Sequence, residues 1–300
     1  MPSSVADRQQ NVSMPAGGQA RSGRSVRKSV RRGRDRKWAA AGCLLACLAN
    51  APATAQGSKS AEDLAKQLSN PIASLISVPF QFNYDGEIGP ARAGTRYTTN
   101  IQPVIPITLS DDWNLISRTI LPVTAQSDIF PGAGSQFGLG DITQSLFFSP
   151  AKSGSLIWGV GPAFLIPTGT DRLLGSGKFG LGPTAVVLRQ SGGFTYGALL
   201  NHIWSVAGDE GRRGVSTTFM QPFLAYTTKD AWTFTVNTET TYDWKAETWS
   251  VPVNFLISKL VHVGHQPVSL GVGMRYWASS PDAGPHGVGV RALVTFLFPK

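Results

Sequence analysis

Residues 72–85 read IASLISVPFQFNYD, and from Ile72 onward the hydrophobic period is two. Ile72, Ile76, Val78, Phe80, Phe82 and Tyr84 alternate with Ala73, Ser77, Gln81, Asn83 and Asp85. A chain with this period is extended, and its successive side chains point to opposite faces. One face therefore meets an apolar medium and the other a polar one. The next stretch repeats the pattern, with Tyr97, Ile101, Ile105, Ile107 and Leu109 set against Thr98, Asn100, Gln102 and Thr108. Further strands are expected near 113–124, 139–148, 156–167, 179–190, 194–206, 216–227, 231–242, 249–261, 267–277 and 287–298, twelve in all. Their length exceeds the roughly five to six residues usual in globular sheets. It suits the roughly nine to eleven residues that a tilted strand needs to cross a bilayer.

The expected connections alternate in length. Ser110 to Asp112, Ser191 to Gly193 and Thr228 to Asp230 are short, whereas Ala125 to Gly138, Thr168 to Lys178 and Ala207 to Val215 are long. Short turns at one end and long loops at the other mark outer-membrane barrels. An even strand count puts both chain ends on the short-turn side. Trp113, Trp158, Trp204, Trp232, Trp244, Trp249 and Trp277 all fall near expected strand ends, where two interfacial girdles would lie. The fold expected is therefore a closed antiparallel transmembrane β-barrel over residues 72–300. Before it, SAEDLAKQLS (60–69) reads as a short amphipathic helix capped by Ser60, in a periplasmic segment spanning 56–71.

Two further patterns bear on the barrel. Thr98-Thr-x-Ile-Gln-Pro103 through Trp113 is echoed by Thr217-Thr-x-Met-Gln-Pro222 through Trp232 at an offset of 119 residues, about six strands. This suggests a duplicated half-barrel. Against a regular ladder stand Pro79, Pro103, Pro106, Pro122, Pro162, Pro183, Pro222 and Pro252, all inside expected strands. A proline there removes a ladder hydrogen bond and calls for a bulge.

The charge balance separates the first 55 residues from the rest. They carry 10 basic and 2 acidic side chains and both cysteines, while the remaining 245 residues balance 17 basic against 16 acidic. A basic DNA-binding surface, a disulfide scaffold and a cysteine nucleophile in the body are thereby excluded. The basic run, the apolar stretch Trp38 to Ala49 and the Ala-x-Ala before Gln56 make residues 1–55 a signal peptide with a long basic n-region. An alternative is lipidation of Cys47 after Leu44-Leu-Ala.

Catalytic signatures are lacking: there is no Walker loop, HExxH, GxSxG or EF-hand pattern. His262 and His265 share an expected turn without a third ligand, so no metal and no cofactor is expected. His202 lies near Asn201 and Ser205, but on the apolar parity with Leu200 and Trp204, so a triad does not converge there. The polar parity is the candidate functional surface. It supplies the pore-lining candidates Asn83, Gln102, Arg118, Asp141, Asn237, Glu239, Arg275 and Arg291. Charges of both signs within a narrow barrel can select solutes by field, or can pair with one another and plug the lumen.

The segments NPIASLISVPFQFNYD (70–85), IQPVIPI (101–107), DWNLISRTILPV (112–123), GLGDITQSLFFSP (138–150), WGVGPAFLIPTGTD (158–171), NHIWSVAGD (201–209) and LFPK (297–300) resemble a family of proteobacterial outer-membrane β-barrel proteins. That family is grouped with transporters of the phenol-degradation meta-pathway type and is sometimes mislabelled "neuromedin U". The resemblance implies a Gram-negative outer-membrane location and a transport role, and it carries over no site residues. The expected function is a porin-like channel or transporter for small molecules, hydrophobic or aromatic ones among them, and not an enzyme. The alternatives are a plugged structural barrel and an outer-membrane lipid hydrolase. The partners expected are outer-membrane lipids, the barrel-assembly machinery and a small solute, with no nucleic acid.

Overall fold

The computed structural model describes residues 60–299; signal cleavage after Ala55 and lipidation of Cys47 both fall outside them. One helix comes first, α1 (Ala61–Leu68). Then follow β1 (Ile76–Ile88), β2 (Gly94–Ile101), β3 (Val104–Thr108), β4 (Trp113–Ser127), β5 (Ser135–Leu139), β6 (Ile142–Pro150), β7 (Ile157–Ile166) and β8 (Lys178–Ser191). The remainder are β9 (Phe194–Gly208), β10 (Ser216–Thr227), β11 (Trp232–Thr238), β12 (Thr240–Asp243), β13 (Thr248–Val263), β14 (Gln266–Ser279) and β15 (Val288–Phe298). Three of the staves are interrupted: β2 with β3, β5 with β6, and β11 with β12. The result is a closed barrel of 12 antiparallel strands. Each strand pairs with the next in sequence, and the ring closes where β1 meets β15, from Ile76↔Phe298 to Tyr84↔Val290.

The two parities separate as the alternation requires. On the outer wall Val272 is 68% exposed and Val290 58%, while inward-facing Arg291 is 3% exposed and Asn254 1%. The short turns, such as Gly192–Gly193 and Gly264–His265, share one end with the start of β1 and the end of β15, and the long connections share the other. Six of the seven tryptophans among the described residues accord with a rim position. Trp113 and Trp158 meet edge-to-face at the short-turn rim. Trp277 departs from the expectation. It points into the lumen, donating from Nε1 to Asp85 (2.8 Å) and stacking under Arg275. It lies two residues from Arg275, so strand parity forces both onto the same face.

The prolines sit where pairing is already broken. At the break between β2 and β3, Gln102 N donates to Pro79 O (2.9 Å), with Pro103 inside the break itself. Between β5 and β6, Gly140 N donates to Pro122 O (2.9 Å). Between β11 and β12, Glu239 N donates to Pro252 O (3.3 Å). On the other flank of that break β10 pairs Met220↔Thr240 and then Phe223↔Asn237, which leaves Pro222 opposite the gap. Pro162 and Pro183 face each other. Their outer flanks skip: β6–β7 pairing is interrupted between Ser145↔Ala163 and Phe148↔Val160, and β8–β9 between Leu181↔Trp204 and Thr184↔Asn201. Pro106 lies past the one β1–β3 pair, Ser77↔Val104, where no ladder bond to β1 is required. A missing N–H costs little where its partner strand has already turned away.

The first strand begins at Ile76, not at Ile72. Asn70 Oδ1 accepts from Ile72 N (3.0 Å) and Asn70 O from Ala73 N (3.2 Å), a side-chain-stabilised turn before the strand. The turn carries Ile72 into the barrel, where it is 4% exposed among Ile116, Phe147, Val186 and Leu188. Helix α1 is capped as its sequence indicates, with Asp63 N donating to Ser60 Oγ (3.1 Å). Leu64 and Ala65 pack on Leu75, Ala231 and the inward-facing Leu260 and Leu297. Gln190 Nε2 donates to Lys66 O (2.9 Å) and ties the helix to β8. The segment expected ahead of the barrel is thus lodged in its short-turn mouth.

Candidate functional site

The lumen is layered. Nearest the long loops, Asp141 sits in the break between β5 and β6, and its carboxylate accepts from Gly169 N (3.0 Å), Ser176 N (2.6 Å) and Ser176 Oγ (2.6 Å). Arg212 donates to the carbonyls of Ser176 (3.1 Å), Arg172 (2.8 Å) and Gly175 from the other side. These contacts fasten the 167–177 connection. Asp141, expected to line the pore, instead holds a loop and does not reach the central chamber, because the strand break turns its carboxylate onto the backbone of that connection.

The middle layer is an ion network. Glu239, in the break between β11 and β12, accepts from Arg291 Nη1 (2.9 Å) and Nη2 (2.8 Å) and from Arg275 Nη2 (3.3 Å). Arg275 Nη1 also reaches Asp85 (3.2 Å), and Arg291 Nε donates to Asn83 Oδ1 (2.8 Å). Strand parity sends these side chains inward, and barrel closure sets β1, β14 and β15 side by side. The fork-to-carboxylate geometry at Arg291 fixes both partners. Four of the expected residues, Asn83, Glu239, Arg275 and Arg291, therefore meet in one cluster. Asp85 and Trp277 complete it. Neither is among the pore candidates, although both lie on the inward parity.

Below the network lies a chamber of about 230 Å³. Gln102, Arg118, Gln221, Asn237, Glu239 and Arg291 form its polar side; Leu68, Pro71, Val104, Phe223 and Leu256 form its apolar side. Arg118 Nη2 donates to Gln102 Oε1 (3.1 Å), and Asn254 Nδ2 donates to Asn237 Oδ1 (2.8 Å). The internal echo acquires a spatial meaning here. Gln102 and Arg118 line the chamber opposite Gln221 and Asn237, six staves away around the ring. Helix α1 and the 69–75 turn close the chamber toward the short-turn end.

The hydrolase arrangement does not assemble. His202 lies beside Trp204 on the outer wall, ring centres 4.1 Å apart, with Nδ1 2.7 Å from Thr218 Oγ1. Ser205 Oγ accepts from Val215 N (2.9 Å), and Asn201 lies on the opposite face to His202. Among the described residues no group of three or more His, Cys, Asp or Glu is placed to hold a metal ion.

No protein-family model and no curated protein sequence matches the chain. In structure the chain is similar to an outer membrane channel from Pseudomonas putida F1, with 12% identity and a TM-score of 0.60 over 75% of this chain and 96% of that one. It is also similar to a NanC porin, with 11% identity and a TM-score of 0.45 over 75% and 99%. An outer membrane phospholipase from Salmonella typhi gives 11% and 0.42 over 80% and 98%. At such identities it is the barrel fold that is shared.

Proposed function

We propose that the chain is an outer-membrane channel or transporter for small solutes, closed on its short-turn side by its own N-terminal segment. The observation that carries this reading is a charged and polar central layer of the lumen, with an internal chamber beside it, behind an apolar outer wall. In a soluble barrel the parities would be reversed, with the apolar side inward. The likeness in fold to a Pseudomonas putida outer membrane channel supports it. The reading makes lipid the partner of the outer wall. Export would run through the 1–55 signal and insertion through the barrel-assembly machinery. Solute would enter from the long-loop side and rest in the chamber until α1 moves.

Planar-bilayer recording of the full chain and of a variant lacking 61–68 tests this. The full chain should conduct in brief, small events and the deletion variant persistently. Silence from both, in protein that still runs faster unboiled than boiled on a gel, would leave a plugged structural barrel.

A further inference from the structure

Two carboxylates, Asp85 and Glu239, lie within electrostatic reach of four guanidinium groups: those of Arg275 and Arg291, paired to them in the network, and those of Arg96 and Arg118 beside it. Arg275 spans both carboxylates and Arg291 takes Glu239. Arg275 Nε is a buried donor with no acceptor. Arg96 Nε is satisfied by Gln126 Oε1 (2.8 Å), a neutral partner. Arg118 borders the chamber, and among the described residues its side chain hydrogen-bonds to neutral Gln102 alone. No carboxylate lies within 4.0 Å of it among the described residues, and Glu239, the carboxylate that attracts it from farther off, is already engaged twice. Two carboxylates shared among four guanidinium groups leave this part of the lumen short of negative charge, and an anion delivered beside Arg118 offsets that shortfall.

We propose that Arg118 is the anion-binding end of a lumen subsite for a small amphipathic carboxylate. This rests on the channel reading above and names its solute class. The planar fork of Arg118 suits a carboxylate, and Gln221 and Asn237 can donate from across the chamber. The rest of the solute lies against Leu68, Val104 and Phe223. A chamber of about 230 Å³ is smaller than the roughly 300–1,000 Å³ of sites for drug-sized ligands, so the solute is small. The two neutrally paired arginines, Arg96 toward the loops and Arg118 below, give an anion successive places to stand on its way in. The apolar wall belongs partly to α1 and its following turn, so the occupant touches the segment that must move.

The test is calorimetric titration of the detergent-solubilised full chain with benzoate and with its neutral isostere benzamide. Benzoate should bind at least tenfold more tightly, and Arg118→Gln should reduce its affinity to that of benzamide. Equal binding of the two, binding of neither, or benzoate affinity unchanged in Arg118→Gln overturns the proposal. Should that variant fail to assemble, Arg118→Lys replaces it. A point charge without the fork should weaken benzoate severalfold, and unchanged affinity again overturns the subsite. A chain that conducts without binding benzoate keeps the channel and loses the subsite; one that binds benzoate and never conducts does the reverse.

Discussion

Glu239 carries two arginines, one of them almost fully buried, and lies in a strand break that gives its side chain room to reach both. Removing one partner of a buried ion pair strands the others, at about 3–5 kcal/mol. Glu239→Gln should therefore lower the barrel's unfolding free energy by about 3 kcal/mol, read from urea denaturation in vesicles. The exposed pair Glu87–Arg92 (3.4 Å) is the internal control. Solvent screens it, and Glu87→Gln should cost less than about 1 kcal/mol. Similar losses from the two changes would refute the network's structural weight. The inward direction of Asn83, Glu239, Arg275 and Arg291 is legible in the sequence because a period of two leaves each residue only two faces. Their pairing is not. Arg275 and Asp85 are 190 positions apart, and only ring closure brings them together. Asp141 has the right parity and a different task, because its neighbour in space is a loop whose path no periodicity encodes.

Among the elements, the interrupted staves and the plug separate what is local from what is not. The N-terminal signature of α1 is local, and so is legible. The docking partners Ala231, Leu260 and Leu297 come from distant strand ends. A helix held there by apolar contact should be released by a buried charge. Leu64→Asp should raise open probability in bilayer recordings while leaving heat-modifiable gel mobility intact; unchanged gating would show that α1 does not close the mouth. Proline positions predict bulges but not which strand answers each of them. Glycines beside two prolines show the answer. A Cβ on Gly182 would run into the carbonyl of His202, and one on Gly161 into that of Leu146. Gly182→Ala should therefore slow or block assembly, scored by the fraction of faster-migrating unboiled protein. Gly154→Ala, with open space around it, should behave as the parent chain.

For the molecule as a whole, strand number, strand length and the asymmetry of its connections are readable because a bilayer imposes one thickness on every strand. Lumen contents are not readable in this way, since no such common constraint acts on them. The membrane assignment therefore rests on what touches the outer wall. Val272 lies halfway along β14, and Val263 ends β13 at the short-turn rim; they are 68% and 65% exposed. Exposure alone does not distinguish them, but depth in lipid does. A lysine at the bilayer midplane costs about 2–4 kcal/mol and one near the interface about 0–1. Val272→Lys should thus destabilise the barrel in phosphatidylcholine vesicles by at least about 2 kcal/mol more than Val263→Lys. A wall facing water would accept both lysines almost without loss, and that result would end the reading of this barrel as a membrane protein.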